Sequence, residues 1–235
     1  MSATNTVSFA GRASGAGLVG DVITRLGDRL RRAIDPGRLL FRGNDTAAET
    51  VVARHGPVEV RATSAGWVLE TCVKGELEPA RAKGMRRLAN FVNGRGRACL
   101  RAARPLVQTQ EAAGRWRLRV AVPGLDSSFA ATAPRNGKVR LRTLEPETLA
   151  VIRVSGRPTP LSIHHAETAI RQAIAGSLWE PMGPVVVRLH ALPAILPFLS
   201  RYEVALPVTD RAYAAEMPEW VRHVVHHQAV AQRVQ

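Results

Sequence analysis

The spacing of hydrophobic positions predicts a group of strands interrupted by two helices. Val58 and Val60 alternate with charged residues, as in a half-buried strand, and a second strand is predicted over 67–73. Apolar residues then recur at helical spacing, and a glycine turn at 94–96 ends this first helix. Its apolar face consists of Met85, Leu88, Ala89 and Val92, and Arg86, Arg87 and Asn90 lie on the opposite side.

The second half of the chain repeats this arrangement. Further strands are predicted over 99–109, 116–122, 139–143, 149–154, 185–189 and 202–208, with a second helix over 161–175. Gly75 and Gly156 each follow an apolar strand and lie 81 residues apart (156 minus 75). The same offset places the apolar face of the first helix on Ala166, Ala169, Ile170 and Ala173. This weak repeat predicts an α+β fold in which duplicated strand–helix–strands units form a curved, distorted, barrel-like antiparallel sheet flanked by two main helices.

The pattern also predicts the domain organisation. We expect an N-terminal extension over 1–48, the main domain over 49–208 and a helical C-terminal tail over 209–235. Apolar residues step by four through 17–34, and arginines lie mostly off that stripe. This helix either packs on the main domain or a second subunit, or lies as a basic amphipathic helix on an anionic membrane surface.

Composition narrows the class of protein. The 235 residues are 46% hydrophobic with a formal net charge of +14, and no apolar run is long enough for a membrane span. Without a secretory signal pattern, the expectation is a soluble, cytoplasmic, basic protein. The two cysteines, Cys72 and Cys99, form neither a disulfide framework nor a zinc motif. The arginines are dispersed and aromatic residues are few, so no specific nucleic-acid partner is expected.

Seven short segments, in order and with suitable spacing, resemble the SOUL/haem-binding protein family. They are Glu59-x-Arg61 with Trp67 and Thr71; the helix residues Gly84, Met85, Leu88, Phe91, Val92 and Gly94; Pro105-Leu106; the strand 119–123; Val154-Ser155-Gly156; the loop Pro197-Phe198; and Arg201-Tyr202-Glu203-Val204. The resemblance covers about two-thirds of the chain.

The resemblance implies a non-catalytic carrier, buffer or sensor of haem or another tetrapyrrole. Family members bind the ring on an apolar patch of the first helix, which here is the face of Met85, Leu88, Ala89 and Val92. A tetrapyrrole needs a flat apolar surface and cations for its propionates; Arg86 and Arg87 are candidates for the propionates, and Asn90 stands where some relatives carry a lysine. The same periodicity also fits a helix whose stripe only packs against the sheet.

The source of an iron ligand is left open. Ala62 stands where some family members carry a histidine proposed as the axial ligand, so haem would need another ligand or would bind mainly by apolar contact. His223 and His227 in the tail are i, i+4 neighbours on a predicted helix and are candidate axial or metal ligands. The alternative for these histidines is a solvated tail.

The sequence leaves two other functions open. Ala62 and Asn90 also fit a non-catalytic protein-interaction or scaffold module that has lost haem binding and acts with a protein partner or as a homo-oligomer. An enzyme with its site in the cleft between the helices ranks last, because no recognisable catalytic motif supports it.

Overall fold

In the described part of the chain, ten antiparallel strands form one curled sheet with two main helices on one of its faces. The computed structural model describes residues 40–41, 46–94, 100–125, 137–190 and 201–216. In chain order the elements are β1 (Glu49–His55), β2 (Val58–Thr63), β3 (Gly66–Lys74), α1 (Leu77–Val92), β4 (Ala103–Ala112), β5 (Arg115–Ala121), β6 (Arg140–Leu144), β7 (Glu147–Ser155), α2 (Pro160–Ile174), β8 (Trp179–Pro181), β9 (Val186–Leu189), β10 (Arg201–Asp210) and α3 (Arg211–Glu216).

The strand order shows that the fold is a duplication. It runs β1-β2-β7-β10-β9-β4-β5-β3-β6, with β8 paired to β10. One unit comprises β2, β3, α1, β4 and β5, and the other comprises β6, β7, α2, β9 and β10. The counterparts in the two units are β2 and β6, β3 and β7, β4 and β9, and β5 and β10. If each strand is replaced by its counterpart and the sheet is read from the opposite edge, the strand order is the same, apart from β1 and β8. Each unit gives its first strand to the other: β2 pairs with β7, and β6 pairs with β3.

The predicted 81-residue offset holds at the level of elements. It carries Gly66–Lys74 onto Glu147–Ser155, the bounds of β3 and β7. Gly75 and Gly156 then redirect the chain into the helices with φ of 134° and 94°, a region that side chains disfavour. The α+β class with a curved antiparallel sheet and two main helices is confirmed.

The two helices begin differently. Pro79 lies in the first turn of α1, where a missing N–H removes no intrahelical bond. The α2 helix starts with a capping box, in which the Thr159 hydroxyl accepts from the Ser162 N–H and the Ser162 hydroxyl accepts from the Thr159 N–H. These local signals fix where each amphipathic helix meets the sheet.

Strand alternation gives the sheet a helix-side face and an open face. The main core lies on the helix-side face, where Leu69, Leu118 and Val204 of the strands pack in one cluster with Leu88 of α1 and Ile170 of α2. On the opposite face, which we call the open face, Leu149, Val151, Val186 and Ala205 form a separate small apolar cluster. The open face therefore carries the side chains that the helices do not cover.

Two elements were not predicted, the edge strand β1 and the short β8, whereas the helix α3 lies within the predicted helical tail over 209–235. Val51 and Val52 in β1 are adjacent and both exposed, so β1 lacks the alternation of a half-buried strand. The proposed 17–34 helix and the tail from 217 onward, including His223 and His227, lie outside the described residues.

Replacement of Gly84 by leucine is expected to lower the free energy of unfolding. A Cβ at Gly84 would lie 2.6 and 2.7 Å from the two methyl carbons of the fully buried Leu118. Overpacking of this kind costs about 1–3 kcal/mol, more than the roughly 0.8 kcal/mol by which leucine exceeds glycine as a helix former. Urea unfolding checks this; Ala82→Leu, at an exposed position of the same helix, should change stability by less than about 0.5 kcal/mol. Equal stability of the two variants would contradict the close contact.

Candidate ligand-binding site

A cavity of about 670 Å³ opens on the open face of the sheet. It lies where the starts of β1 and β3 meet the end of β5 and the turn between β6 and β7, and its floor includes Val107, Leu149 and Val186. Two-thirds of the lining residues are apolar or glycine, including Trp67, Val68, Pro105, Val122, Leu125 and Leu144. Its volume lies within the range of about 300–1,000 Å³ that holds small-molecule ligands.

Arg119, in the wall of this cavity, is an arginine with no ion-pair partner among the described residues. It is half-buried on β5, with Val107 and Glu70 as its cross-strand neighbours. The Glu70 carboxylate lies 3.5 Å from Arg117 and 3.3 Å from Arg142. Within the described part of the chain Arg119 has neither a hydrogen-bond nor an ion-pair partner, so its guanidinium is available to an anionic ligand group.

Carboxylates also line the cavity. The Glu49 carboxylate is neutralised by Arg61 at 3.2 Å and by a hydrogen bond from Arg188. Glu145 and Glu147, at the turn between β6 and β7, have no side-chain partner among the described residues. Among the described residues of its lining, the cavity therefore presents one free cation on β5 and two free anions at the β6–β7 turn, which gives a charged ligand an orientation.

Beside the cavity, Glu203 on β10 is the centre of a buried charge network. Its carboxylate accepts hydrogen bonds from Arg61 and Arg188, each at 3.0 Å, and lies 2.7 Å from the His190 Nε2. Arg61 also donates to Glu59 at 2.7 Å. Arg188 is 2% exposed, Glu203 4% and Arg61 7%, so these charges are compensated almost entirely within the protein.

The network lowers the pKa of its central carboxyl group. Burial alone would raise the pKa of Glu203, but the hydrogen bond from His190 and the charges of Arg188, His190 and Arg61 outweigh burial and lower the pKa to about 2. Glu203 is therefore ionised throughout the physiological pH range. The Glu-x-Arg segment on β2 and the Arg-x-Glu-Val segment on β10, both part of the family resemblance, meet here through Arg61 and Glu203.

The helix stripe predicted to hold a tetrapyrrole lies in the core. Met85, Leu88, Ala89 and Val92 are 3%, 0%, 1% and 2% exposed and belong to the cluster between α1 and the sheet. The apolar face of an amphipathic helix has been used for packing, which was the alternative interpretation of the same periodicity. The four side chains are not on the surface, so they do not form the exposed apolar patch that was predicted. Their role in ligand binding stays a prediction.

The other predicted binding residues lie on the outer side of α1 or outside the described chain. Arg86 and Asn90 are exposed, and Arg87 is half-buried and donates to the Cys72 carbonyl at 2.8 Å. Ala62 lies on the helix-side face of β2, opposite Arg61. None of these residues lines the cavity.

Haem requires an apolar surface for its ring, cations for its propionates and a ligand for its iron. The apolar lining of the cavity suits the ring, and Arg119 suits one propionate. No histidine, cysteine, methionine or tyrosine is among the described residues that line it, although these are the usual axial ligands of haem iron. Nor do the described residues contain a group of three or more His, Cys, Asp and Glu placed to hold a metal ion. The described lining therefore has the apolar character that a porphyrin ring needs but contains none of the usual ligands for its iron.

Arg119 was missed as a site residue, although its signal is present in the sequence. Arg115, Arg117 and Arg119 alternate with Leu118 and Val120, so the strand places all its arginines on one face. The alternation was recognised as a strand pattern. The alternation does not show which of the three arginines has a carboxylate partner in the fold. Arg115 and Arg117 have such partners, and Arg119 has none among the described residues.

The duplicated units and the curled sheet define a class of α+β half-barrel domains. A family model described as SOUL heme-binding protein matches residues 45–207. The chain therefore belongs to the SOUL family, and the resemblance seen in the seven segments is confirmed. No curated protein matches this chain.

Solved structures share the fold at low sequence identity. The C-terminal domain of EcmrR is 10% identical with a TM-score of 0.50, and the match covers 65% of this chain and 97% of that one. EcmrR in a DNA complex is 10% identical with a TM-score of 0.51, covering 82% and 66%. A protein described as a hydrolase from Listeria innocua is 14% identical with a TM-score of 0.51, covering 67% and 94%. At these identities the likeness concerns fold alone.

In the described part of this chain no helix is long and apolar enough to cross a membrane.

Proposed function

We propose that this protein binds a tetrapyrrole reversibly and without chemical change, as a carrier, buffer or sensor, in the open-face cavity. Membership of the SOUL family supports the ligand class. The observation that carries the location is Arg119, a half-buried cation with no partner among the described residues, in the wall of a largely apolar cavity. The ring would contact the apolar lining, and a propionate would take the place of the missing counter-ion.

The surroundings of Arg119 give this location more support than the helix face has. A bound ring on α1 would have to displace Leu88, which is fully buried, and expose the core beneath it. The cavity needs no such rearrangement. Because the described residues of its lining include no usual iron ligand, we expect the iron to contribute little, so that haemin and iron-free protoporphyrin bind with similar affinity.

The test is an absorbance and fluorescence titration with haemin and with protoporphyrin, using Arg119→Gln and a matched control. Hydrogen bonds to charged groups are worth about 1.5–3 kcal/mol, so Arg119→Gln should weaken binding of both ligands by roughly 10–100-fold. The control is Arg86→Gln, which removes the same charge from an exposed position on α1 and should leave affinity unchanged. Glu147→Gln should tighten binding by a few-fold, because it removes an unpaired carboxylate that repels propionates.

The outcomes separate the two sites. Unchanged binding by Arg119→Gln would refute the cavity location, and weakening by Arg86→Gln would favour the outer side of α1. A strong preference for haemin over protoporphyrin would mean that an iron ligand is supplied from elsewhere, and His223 and His227 would be the first to replace.

The second candidate function is a protein-interaction module that has lost haem binding. The observations that favour it are Ala62 at the family's candidate ligand position and the lack of iron ligands in the described cavity lining. Absence of saturable binding by either porphyrin, together with a stoichiometric partner or a stable homo-oligomer in native mass spectrometry, would support this function instead.

A further inference from the structure

Six basic side chains lie together on the open face of three adjacent strands, β5, β3 and β6. The register fixes their face: Arg119 pairs with Glu70, Glu70 pairs with Arg140, and the alternate residues Leu69 and Leu118 point into the helix-side core. We call this surface the basic strip; it comprises Lys74, Arg115, Arg117, Arg119, Arg140 and Arg142.

The described residues do not neutralise this strip. Two carboxylates on the same side, Glu70 and Glu111, are shared by Arg115, Arg117 and Arg142. The remaining cations, Lys74, Arg119 and Arg140, have no ion-pair partner within the described ranges. The strip therefore carries six positive charges against two negative charges.

The other half of the open face is different. Around Glu203, cations and carboxylates are interleaved: Arg61, Arg153 and Arg188 contact Glu49, Glu59 and Glu203. Each of these three carboxylates contacts two or more cations, whereas three cations of the strip have no ion-pair partner among the described residues. A charge imbalance of this kind attracts a multiply charged anion more than a singly charged one.

The strip is continuous with the cavity. Arg119 belongs to both, and Arg142 is the cross-strand partner of Val68 in the cavity wall. Arg117 follows Arg119 on the same face at about 7 Å, and Arg140 stands two strands away at about 10 Å. At these spacings, the side chains of Arg117, Arg119 and Arg140 can contact carboxylates of the same porphyrin ring.

From this continuity we infer that the ligand carries several carboxylates, which lie along the basic strip while one face of its ring occupies the cavity. The inference rests on the proposed function and narrows its ligand class: porphyrins with four or more carboxylates should bind more tightly than protoporphyrin or haemin, which carry two. Nucleic acid fits the strip less well, because the strip contains no aromatic side chain on which bases could stack.

The test compares uroporphyrin, coproporphyrin and protoporphyrin, with eight, four and two carboxylates, by fluorescence titration of the full chain. We expect affinity to rise with carboxylate number, by at least about fivefold from two to eight, and the preference to shrink as salt is added. The double variant Lys74→Gln, Arg140→Gln should remove most of the preference, because it weakens uroporphyrin binding much more than protoporphyrin binding. Both side chains are unpaired within the described ranges, and Lys74 is exposed at the end of β3, so folding should be retained.

The matched control is Lys83→Gln, Arg86→Gln, which removes the same charge from exposed positions on α1 and should preserve the preference. Protoporphyrin binding that depends on Arg119, without any preference for additional carboxylates, would overturn this inference and leave the proposed function intact. Loss of preference in both double variants would also overturn it, because only net charge would then matter. Failure of all three porphyrins to bind would instead refute the proposed function. Sedimentation with phosphatidylserine vesicles that is lost in the strip variant, without porphyrin preference, would replace the inference with membrane docking.

Discussion

Replacement of Glu203 by glutamine is expected to lower the free energy of unfolding by about 3–5 kcal/mol at neutral pH, the usual cost of removing one partner from a buried ion pair. The variant leaves Arg61 and Arg188, which are 7% and 2% exposed, without the carboxylate that both contact at 3.0 Å. The lowering of the Glu203 pKa from its ordinary 4.5 to about 2 corresponds to about 3 kcal/mol of stabilisation of the ionised carboxylate in the folded protein. Glu180→Gln, at an exposed position of β8, is the control and should be neutral.

The pH dependence of this effect has a definite sign. Because the folded-state pKa of Glu203 is depressed, its contribution is fully present above the ordinary pKa of 4.5 and is lost as pH falls towards about 2. The difference between wild type and Glu203→Gln should therefore be largest near neutral pH and smaller at about pH 3. Urea unfolding at both pH values measures this. A constant difference would mean that the variant acts through packing instead of charge.

Replacement of Leu88 by alanine is expected to lower the free energy of unfolding by about 2–5 kcal/mol, the range for deletion of a buried leucine side chain. Leu88 is fully buried between α1 and the sheet, so the deleted atoms leave a cavity. The same measurement decides between the two interpretations of the helix stripe: a ligand-binding patch would lose affinity without much loss of stability. Leu161→Ala, at a residue of α2 that is 64% exposed, is the control and should change stability by less than about 0.5 kcal/mol.

This result also governs how the ligand site can be mapped. Charged substitutions at Met85 or Ala89 would place an unpaired carboxylate in the core and unfold the protein whether or not a ligand binds there. Loss of porphyrin binding by such variants would then carry no information about location. Arg119→Gln avoids this difficulty, because Arg119 is only half-buried and makes no described contact that folding requires.

The elements with strong periodicity could be predicted from sequence, and those without it could not. Both main helices were found because their apolar stripes and glycine stops are local features, and the offset of 81 residues that relates Gly75 to Gly156 also relates β3 to β7. The edge strand β1 was missed because its two exposed valines follow no alternation. The exchange of β2 and β6 between units has no local signature in the sequence. Alternation shows that a segment forms a strand, but it does not show which other strand it pairs with.

The candidate site was less predictable, for a related reason. Periodicity identifies an apolar stripe but does not say whether it faces a ligand or the core, and in α1 it faces the core. The cavity gathers residues from β1 to β9 that are widely separated in the chain, so no single segment signals it. Arg119 is distinguished from Arg117 only by the partners that the register gives each of them.

The exchanged first strands have a consequence for how the two halves can differ. A single unit would leave β3 without its outer neighbour, a position that another copy's first strand would fill, so two copies would associate as a strand-swapped homodimer with identical halves. Here the halves share one chain, so their association does not depend on protein concentration. Corresponding positions in the two halves are then free to diverge. One row of paired residues crosses β10, β9, β4 and β5, and in this row Glu203 of one half occupies the position that Arg119 occupies in the other. One half holds its charge in a closed network and the other keeps a guanidinium open, an asymmetry that a symmetric dimer could not encode.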